Sequence, residues 1–219
     1  MTKPDGARRE LKQERALHTR AALVQAAAQV FAESGFAGAS VAKIADRAGL
    51  TLGAIYFHFK NKESLAREIV RSQPEHVAPP LDSEGLQRAV DITLTWACRL
   101  MDDPILMAGA RLVMDQQLFL DQTENSHDQW TRLLTEQFRI AQRRRELRAS
   151  ADVEVLAQVL VNACTGAQMH SQIESGYRDL PFRVEQIWQC FLPATAAPSA
   201  ISRLQYGEAR GRIKRSTLT

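Results

Sequence analysis

The chain has 219 residues, with 28 Lys/Arg against 25 Asp/Glu and a formal net charge of +3. That length buries a sizeable core and carries one or two domains. It holds no run of 18 apolar residues and no signal-peptide core near its start, so the expectation is a cytoplasmic protein rather than a membrane-spanning or secreted one. Cys98, Cys164 and Cys190 are odd in number, widely spaced and each set in an apolar helical pattern. They read as reduced, buried small hydrophobes, not disulfides or metal ligands. No CxxC, HExxH, GxSxG, P-loop or dinucleotide fingerprint occurs, so neither an enzyme nor a resident cofactor or metal is expected.

In chain order the pattern is all-α, with no internal repeat and no useful strand-like alternation. Residues 1–13 read as a flexible basic arm, whose Arg8, Arg9 and Lys12 either touch a nucleic-acid backbone or minor groove or are simply solvated. Leu17, Ala21, Val24, Ala28 and Phe31 alternate at four and three residues and predict a first helix, stopped by Gly35. Val41, Ile44, Ala45 and Ala48 predict a two-turn helix with Ser40 as N-cap and Gly49 at its end. Thr51 caps a further short helix from Leu52 to about His58. Two short helices around a glycine turn make a helix-turn-helix, so residues 14–60 are read as a DNA-binding domain. A connecting helix over 61–73 carries Leu65 and Ile69 on one face and stops before Pro74, which disfavours helix at the preceding residue.

PEHVAPPLD, residues 74–82, is a Pro-rich connector opening a second domain over 74–205. Helices are predicted near 83–101, 104–121, 127–147, 152–175 and 182–192, with Asp103 capping the second of them ahead of Pro104. The last stretch, 206–219, reads as a poorly ordered basic tail. Residues 1–75 hold 12 Lys/Arg against 8 Asp/Glu, whereas residues 76–206 hold 12 against 16. A basic front and an acidic body suit a protein that meets phosphate with one end.

Gly53, Tyr56, His58 and Phe59, followed by Lys62, form a GxxYxHF run with a Lys opening the next helix. This run resembles the DNA-binding domain of TetR-family repressors over roughly residues 14–70. Tyr56 is expected to give its hydroxyl to a phosphate, and Lys62 to offer an ammonium beside a helix N-terminus. Ser40 and Thr51 stand at helix starts and can do likewise. Lys43 is a further contact or a solvated surface residue, and His58 meets phosphate or caps its helix. Gly53 lets the recognition helix approach closely. Leu52 stands where relatives usually carry Lys; it offers only apolar contact, for instance to a thymine methyl, so altered base readout is expected.

DDPILMAGARLVMDQQ at 102–117, Trp130 and FLPATAAPS at 191–199 resemble the γ-butyrolactone receptor branch of the family, which includes butenolide receptors and pseudo-receptors. The resemblance implies that Trp130 covers a lactone, with a core anchor as its competing role. Gln73 is placed to sense a polar head group. Val113 and Gln117 lie on the stripe Met107, Ala110, Val113, Met114, Gln117. Thr165 offers a hydroxyl to a ligand or back-bonds to its own helix.

Apolar repeats along 152–175 (Leu156, Leu160, Ala163) and 182–192 (Ile187, Trp188, Phe191) form either a homodimer interface or a monomer core; the resemblance favours the homodimer. The RRRELR run at 143–148 reads as a solvated helix end. The expectation is therefore a homodimeric TetR-type regulator on double-stranded operator DNA. It would repress until a γ-butyrolactone or butenolide-like inducer releases it, and would control secondary metabolism. The alternatives are a TetR-type response to an unrelated drug or metabolite, or a helical interaction module without a DNA role.

Overall fold

In a computed structural model, residues 5–119 and 126–213 are described, and they are helical throughout apart from turns and loops. The helices are α1 (Asp5–Gly38), α2 (Val41–Ala48), α3 (Leu52–His58), α4 (Lys62–His76), α5 (Gly85–Arg99), α6 (Pro104–Leu112), α7 (Ser126–Arg143), α8 (Val153–Ser175), α9 (Leu180–Thr195), α10 (Pro198–Ile201) and α11 (Glu208–Gly211); a 3₁₀ segment, Val113–Leu118, follows α6. The all-α expectation holds. Two compact units emerge: one runs to Arg71 and includes the described residues from Met107, the other takes Ser72–Leu106 and the described residues from Ser126.

The first unit is a helix-turn-helix on a long support. α2 starts on Ser40, whose hydroxyl accepts the Lys43 amide at 3.2 Å, and ends on Gly49 in the left-handed conformation with φ 64°. The Gly49 amide returns to the carbonyls of Ala45 and Asp46, so the predicted cap residues do what caps do. Thr51 caps α3 through the Ala54 amide. α4 opens with a reciprocal cap: Asn61 Oδ1 accepts the Ser64 amide, and Ser64 Oγ accepts the Asn61 amide. Ile44, Ile55, Leu65 and Ile69 are fully buried together with Leu23, Ala27 and Phe31 of α1.

Four expectations for element boundaries and faces are corrected. Residues 5–13 belong to α1 rather than to a flexible arm, because ARRELKQERAL is built of strong helix formers with no breaker. The buried face of α1 is Leu23, Ala27, Val30 and Phe31, while Leu17 and Ala21 are exposed, since the helix runs on past the core it supports. α4 continues through Pro74 to His76. Its last turn is pinned in the second unit: the His76 ring meets Asp103 at 2.7 Å and the His76 carbonyl accepts from Arg99, which offsets the proline's disruption. The helix predicted over 104–121 tightens into 3₁₀ geometry at Val113, and residues 113–119 belong to the first unit rather than the second.

In the second unit α5 is central, packed by α7, α9 and α11, with α8 beside α7 and α9. Its core is Leu86, Val90, Leu94, Phe138, Leu160 and Trp188. Asp103 accepts the Ile105 and Leu106 amides and so caps α6 as expected. The described part of the tail is ordered, contrary to expectation: Arg210 forms a two-pronged ion pair with buried Asp91 on α5, and Gly211 lies against the Leu94 carbonyl so closely that a Cβ would sit 2.7 Å from it. Lys214 and Arg215 lie outside the described residues.

Candidate nucleic-acid interface and effector residues

α3 is short, and its surroundings decide which side faces out. Successive residues turn by about 100°. Ile55 is fully buried, with Ala54 and His58 half-buried beside it. The opposite arc runs from Leu52 through Tyr56 and Gly53 to Phe57 and spans about 140°. Leu52 is 47%, Tyr56 58% and Phe57 80% exposed. Phe57 was not singled out from sequence, although a buried Ile55 obliges it to face outward. Lys60, exposed in the turn after α3, was passed over too.

Ser40 and Thr51 each accept one amide bond in the helix caps already described, which leaves their hydroxyl protons to a ligand. The Lys43 ammonium, exposed, donates to the Gly38 carbonyl at 2.9 Å. Arg47 is tied to Glu33 through two bonds of 2.8 and 2.7 Å, holding α2 to α1. The hydrogen bond to Arg47 lowers the Glu33 pKa from its ordinary value. His58 packs its ring edge-on against Phe57, while the Phe59 amide closes α3 on the Ile55 carbonyl.

Lys62 departs from expectation. Its ammonium donates to the carbonyls of Phe36 at 2.8 Å and Ala39 at 3.1 Å, and lies 4.2 Å from the centre of the Phe36 ring. Two of its three donors thus serve the negative end of α1 instead of an external phosphate. A Lys at a helix start looks the same in sequence whichever way it points; the carbonyls that draw it inward come from residues 23 and 26 positions away. Arg20 makes a similar cation–π contact, 5.0 Å from the Phe59 ring centre, so the aromatic that closes the motif is a structural anchor.

The segment after α6 is built into this unit. α1 bends at Gly35, with φ 67° and ψ −177°, a conformation open essentially to glycine alone. The bend frees the Phe36 amide, which donates to Asp115 Oδ2 at 3.2 Å. The Phe119 ring packs tilted against Phe36 with ring centres 5.1 Å apart, and its carbonyl accepts from Arg67 of α4.

The predicted effector residues are distributed over both units. Val113, half-buried, and Gln117, exposed, are in the 3₁₀ segment of the first. Gln117 was expected at the buried end of a helical stripe; the change to 3₁₀ geometry alters the register and turns it, with Met114, to solvent. In the second unit Gln73 is buried on α4, Trp130 is half-buried on α7, and the Thr165 hydroxyl back-bonds to Val161 at 2.9 Å. A cleft of about 490 Å³ beside the end of α7 and the start of α8 is lined by Arg139, Gln142, Arg143, Asp152 and Glu154 among others, and contains none of the five.

Two of the six expected interface residues are corrected. Leu160 and Trp188 have no exposed surface in a single chain, and Trp188 Nε1 donates to Thr93 Oγ1 at 2.8 Å. Leu156, Ala163, Ile187 and Phe191 are half-buried. Apolar periodicity marks the face that packs, and at Leu160 and Trp188 that is the chain's own core. A different stripe of α8 is exposed: Val155, Val159, Met169 and Ile173, with Gly166 open between them. On α9, Phe182 and Cys190 face outward. Cys190 is therefore not buried as expected, whereas burial pushes the Cys164 thiol up to about 12 and Cys98 up to about 11.

Among the described residues no helix is long and apolar enough to cross a membrane, and no cluster of metal-binding side chains occurs. The family of bacterial regulatory proteins called tetR matches residues 23–69, and a tetracyclin repressor-like C-terminal domain matches residues 83–196. The A-factor receptor protein of Streptomyces griseus is 34% identical over 194 residues, 89% of this chain and 70% of that one. The crystal structure of TylP, a TetR regulator from Streptomyces fradiae, superposes with a TM-score of 0.82 at 35% identity, covering 90% of this chain and 95% of that one. A structure concerned with the control of antibiotic production by bacterial hormones gives a TM-score of 0.71 at 32% identity, covering 82% and 98%.

Proposed function

The chain belongs to the TetR family of bacterial regulatory proteins, which bind DNA and are not enzymes, and from that premise we propose that it is a repressor of secondary-metabolism genes, released from a palindromic operator by a γ-butyrolactone or butenolide-like signal. The observation that carries the reading is the similarity to the A-factor receptor, which runs through the second unit as well as the helix-turn-helix. α3 is the recognition helix. Tyr56, Ser40, Thr51, Lys43 and Lys60 are its phosphate-facing groups, with Gly53 allowing close approach and His58 steadying the end of the helix. Lys62 acts from within, holding α4 to α1.

Two chains pair so that two recognition helices read half-sites about one turn of DNA apart or a multiple of it. The exposed apolar stripe of α8 and the outward side of α9 supply the surface, because large apolar groups left in water favour burial against a second copy. Trp130 and Gln73 are the residues assigned to the effector, Trp130 as its apolar cover and Gln73 as its polar contact, with Thr165 as a further contact. Release follows only if the effector binds the non-operator conformation more tightly than the operator-bound one. The site of action is the cytoplasm.

The test is to select operator sequences from the host genome, map the protected bases, and add synthetic γ-butyrolactones and butenolides to the complex. Release at micromolar effector supports the reading. Operator binding indifferent to every lactone, but relieved by unrelated drugs, would favour the general drug-response reading. Likeness confined to the helix-turn-helix carries no effector class: the HTH-type transcriptional regulator TtgR of Pseudomonas putida is 42% identical, over 74 residues only.

A further inference from the structure

The outward arc of α3 is chemically unusual for a base-reading surface. The helix sequence is LGAIYFH, with no Arg, Lys, Asn, Gln, Asp or Glu, the side chains that pair with base edges through two hydrogen bonds. Leu52 and Phe57 stand at the two edges of the exposed arc, with Gly53 and the Tyr56 hydroxyl between them, and both are large apolar groups left in water. Neither is needed by the fold: Ile55 fills the core side, and the caps are supplied by Thr51 and the Phe59 amide. The Phe57 ring meets the His58 ring edge-on, 5.0 Å between centres, and is 80% exposed. Thr51 at the head of α3, Lys43 on α2 and Lys60 in the turn after α3 are exposed, which suits a polyanion flanking this apolar arc.

In the major groove the apolar feature of a base edge is the thymine C5-methyl group. We infer that Leu52 and Phe57 read thymine methyl groups, so that each half-site is specified by methyl contacts at two places along the groove instead of by guanine hydrogen bonds to α3. The inference deepens the recognition step of the proposed function; it rests on α3 entering the groove and is independent of which effector releases the protein. It carries a corollary: replacing such a thymine by cytosine loses the contact, while 5-methylcytosine at the same place restores part of it.

The experiment uses the full chain and a selected operator in which each half-site thymine is replaced singly by deoxyuridine, which removes only the methyl group. At the contacted thymines deoxyuridine should weaken binding about four-fold, the worth of one buried methyl-sized group. Leu52→Ala and Phe57→Ala should each abolish the deoxyuridine penalty at one thymine and leave it at the other, a coupling that loss of folding would not produce. Both residues are exposed, so the variants keep their thermal unfolding temperature. Operator binding with no deoxyuridine penalty anywhere would overturn the inference while leaving the repressor reading intact. Penalties that persist unchanged in both alanine variants would overturn it too. A chain that bound no DNA sequence selectively would overturn both.

Discussion

Asp115 and Phe36 are joined across 79 positions by a 3.2 Å hydrogen bond from the Phe36 amide to the Asp115 carboxylate. The bond exists because Gly35 breaks the helix one residue earlier and leaves that amide without a helical acceptor. It makes the 3₁₀ segment, which follows the helix carrying the effector-branch motif, a structural part of the DNA-binding unit. Asp115→Ala should lose about 1–3 kcal/mol, the cost of an amide left without its charged acceptor. In a chain of this size that lowers the unfolding temperature by several degrees. Asp115→Asn, which keeps an acceptor, should recover most of it. Calorimetry of the three proteins checks this; equal losses in both variants would show that charge, not the hydrogen bond, matters.

Lys62 separates two roles that sequence cannot. As a cap on the Phe36 and Ala39 carbonyls, its replacement by Met should destabilise the first unit by about 1–2 kcal/mol. The slope of log operator affinity against log salt should stay as in the parent. A phosphate contact would instead remove roughly 0.9 from that slope. Gel-shift titrations at four salt concentrations distinguish the outcomes, and Lys60→Met, on the exposed turn, supplies the positive control.

The helix-turn-helix was legible because each part is local. Ser40, Gly49 and Thr51 do their work within a few residues, and cap chemistry does not depend on the rest of the chain. The roles of Lys62, Asp115 and Arg210 were not legible, since each is set by a partner far along the chain. Leu160 and Trp188 were misplaced for a related reason: apolar spacing reports that a face is buried without saying by what. The register of 113–117 failed because nothing in VMDQQ distinguishes a 3₁₀ turn from an α-helical one.

Trp188 and Ile173 test which surface pairs two chains. Trp188→Phe should cost about 1 kcal/mol through loss of the Thr93 bond, and Trp188→Ala about 3–5 kcal/mol through a core cavity. The dimer constant of the Phe variant should be unchanged. Ile173→Asp, at a residue 84% exposed, should leave chain folding intact and abolish the dimer. Sedimentation velocity across a concentration series reads both, and a dimer that survives Ile173→Asp but fails in Trp188→Phe would restore the original register.

His76 and Asp103 set a pH dependence. The hydrogen bond to Asp103 raises the His76 pKa, against burial, which lowers it. Burial pushes the Asp103 carboxyl up, but the His76 bond and charge with the Ile105 and Leu106 amides outweigh it, so its pKa falls. The raised His76 pKa contributes stability that is complete below its unfolded value, about 6.5, and is lost as pH rises through the folded value. The lowered Asp103 pKa contributes stability present above its unfolded value, about 3.9, and lost as pH falls through the folded one. Stability from the pair is therefore greatest at mildly acid pH. His76→Gln should flatten the decline above pH 6.5 in urea melts; a decline as steep as in the parent would assign it to another group.

Arg210 joins the tail to the core. Its guanidinium meets the Asp91 carboxylate at 2.5 and 2.9 Å, and Asp91 is only 3% exposed. Ser83 and Gln87 supply two further hydrogen bonds to that carboxylate, yet neither brings a compensating charge. Arg210→Ala should therefore destabilise the second unit by about 3 kcal/mol, because it strands a buried anion. The double replacement Asp91→Leu with Arg210→Met removes the charge and its partner together and should recover most of that loss. Gly211→Ala should act like Arg210→Ala by a different route, since its Cβ would meet backbone at 2.7 Å and push the tail away. If urea unfolding finds Arg210→Ala and Gly211→Ala both within 0.5 kcal/mol of the parent, the tail is an appendage and its docking contributes nothing to the unit it covers.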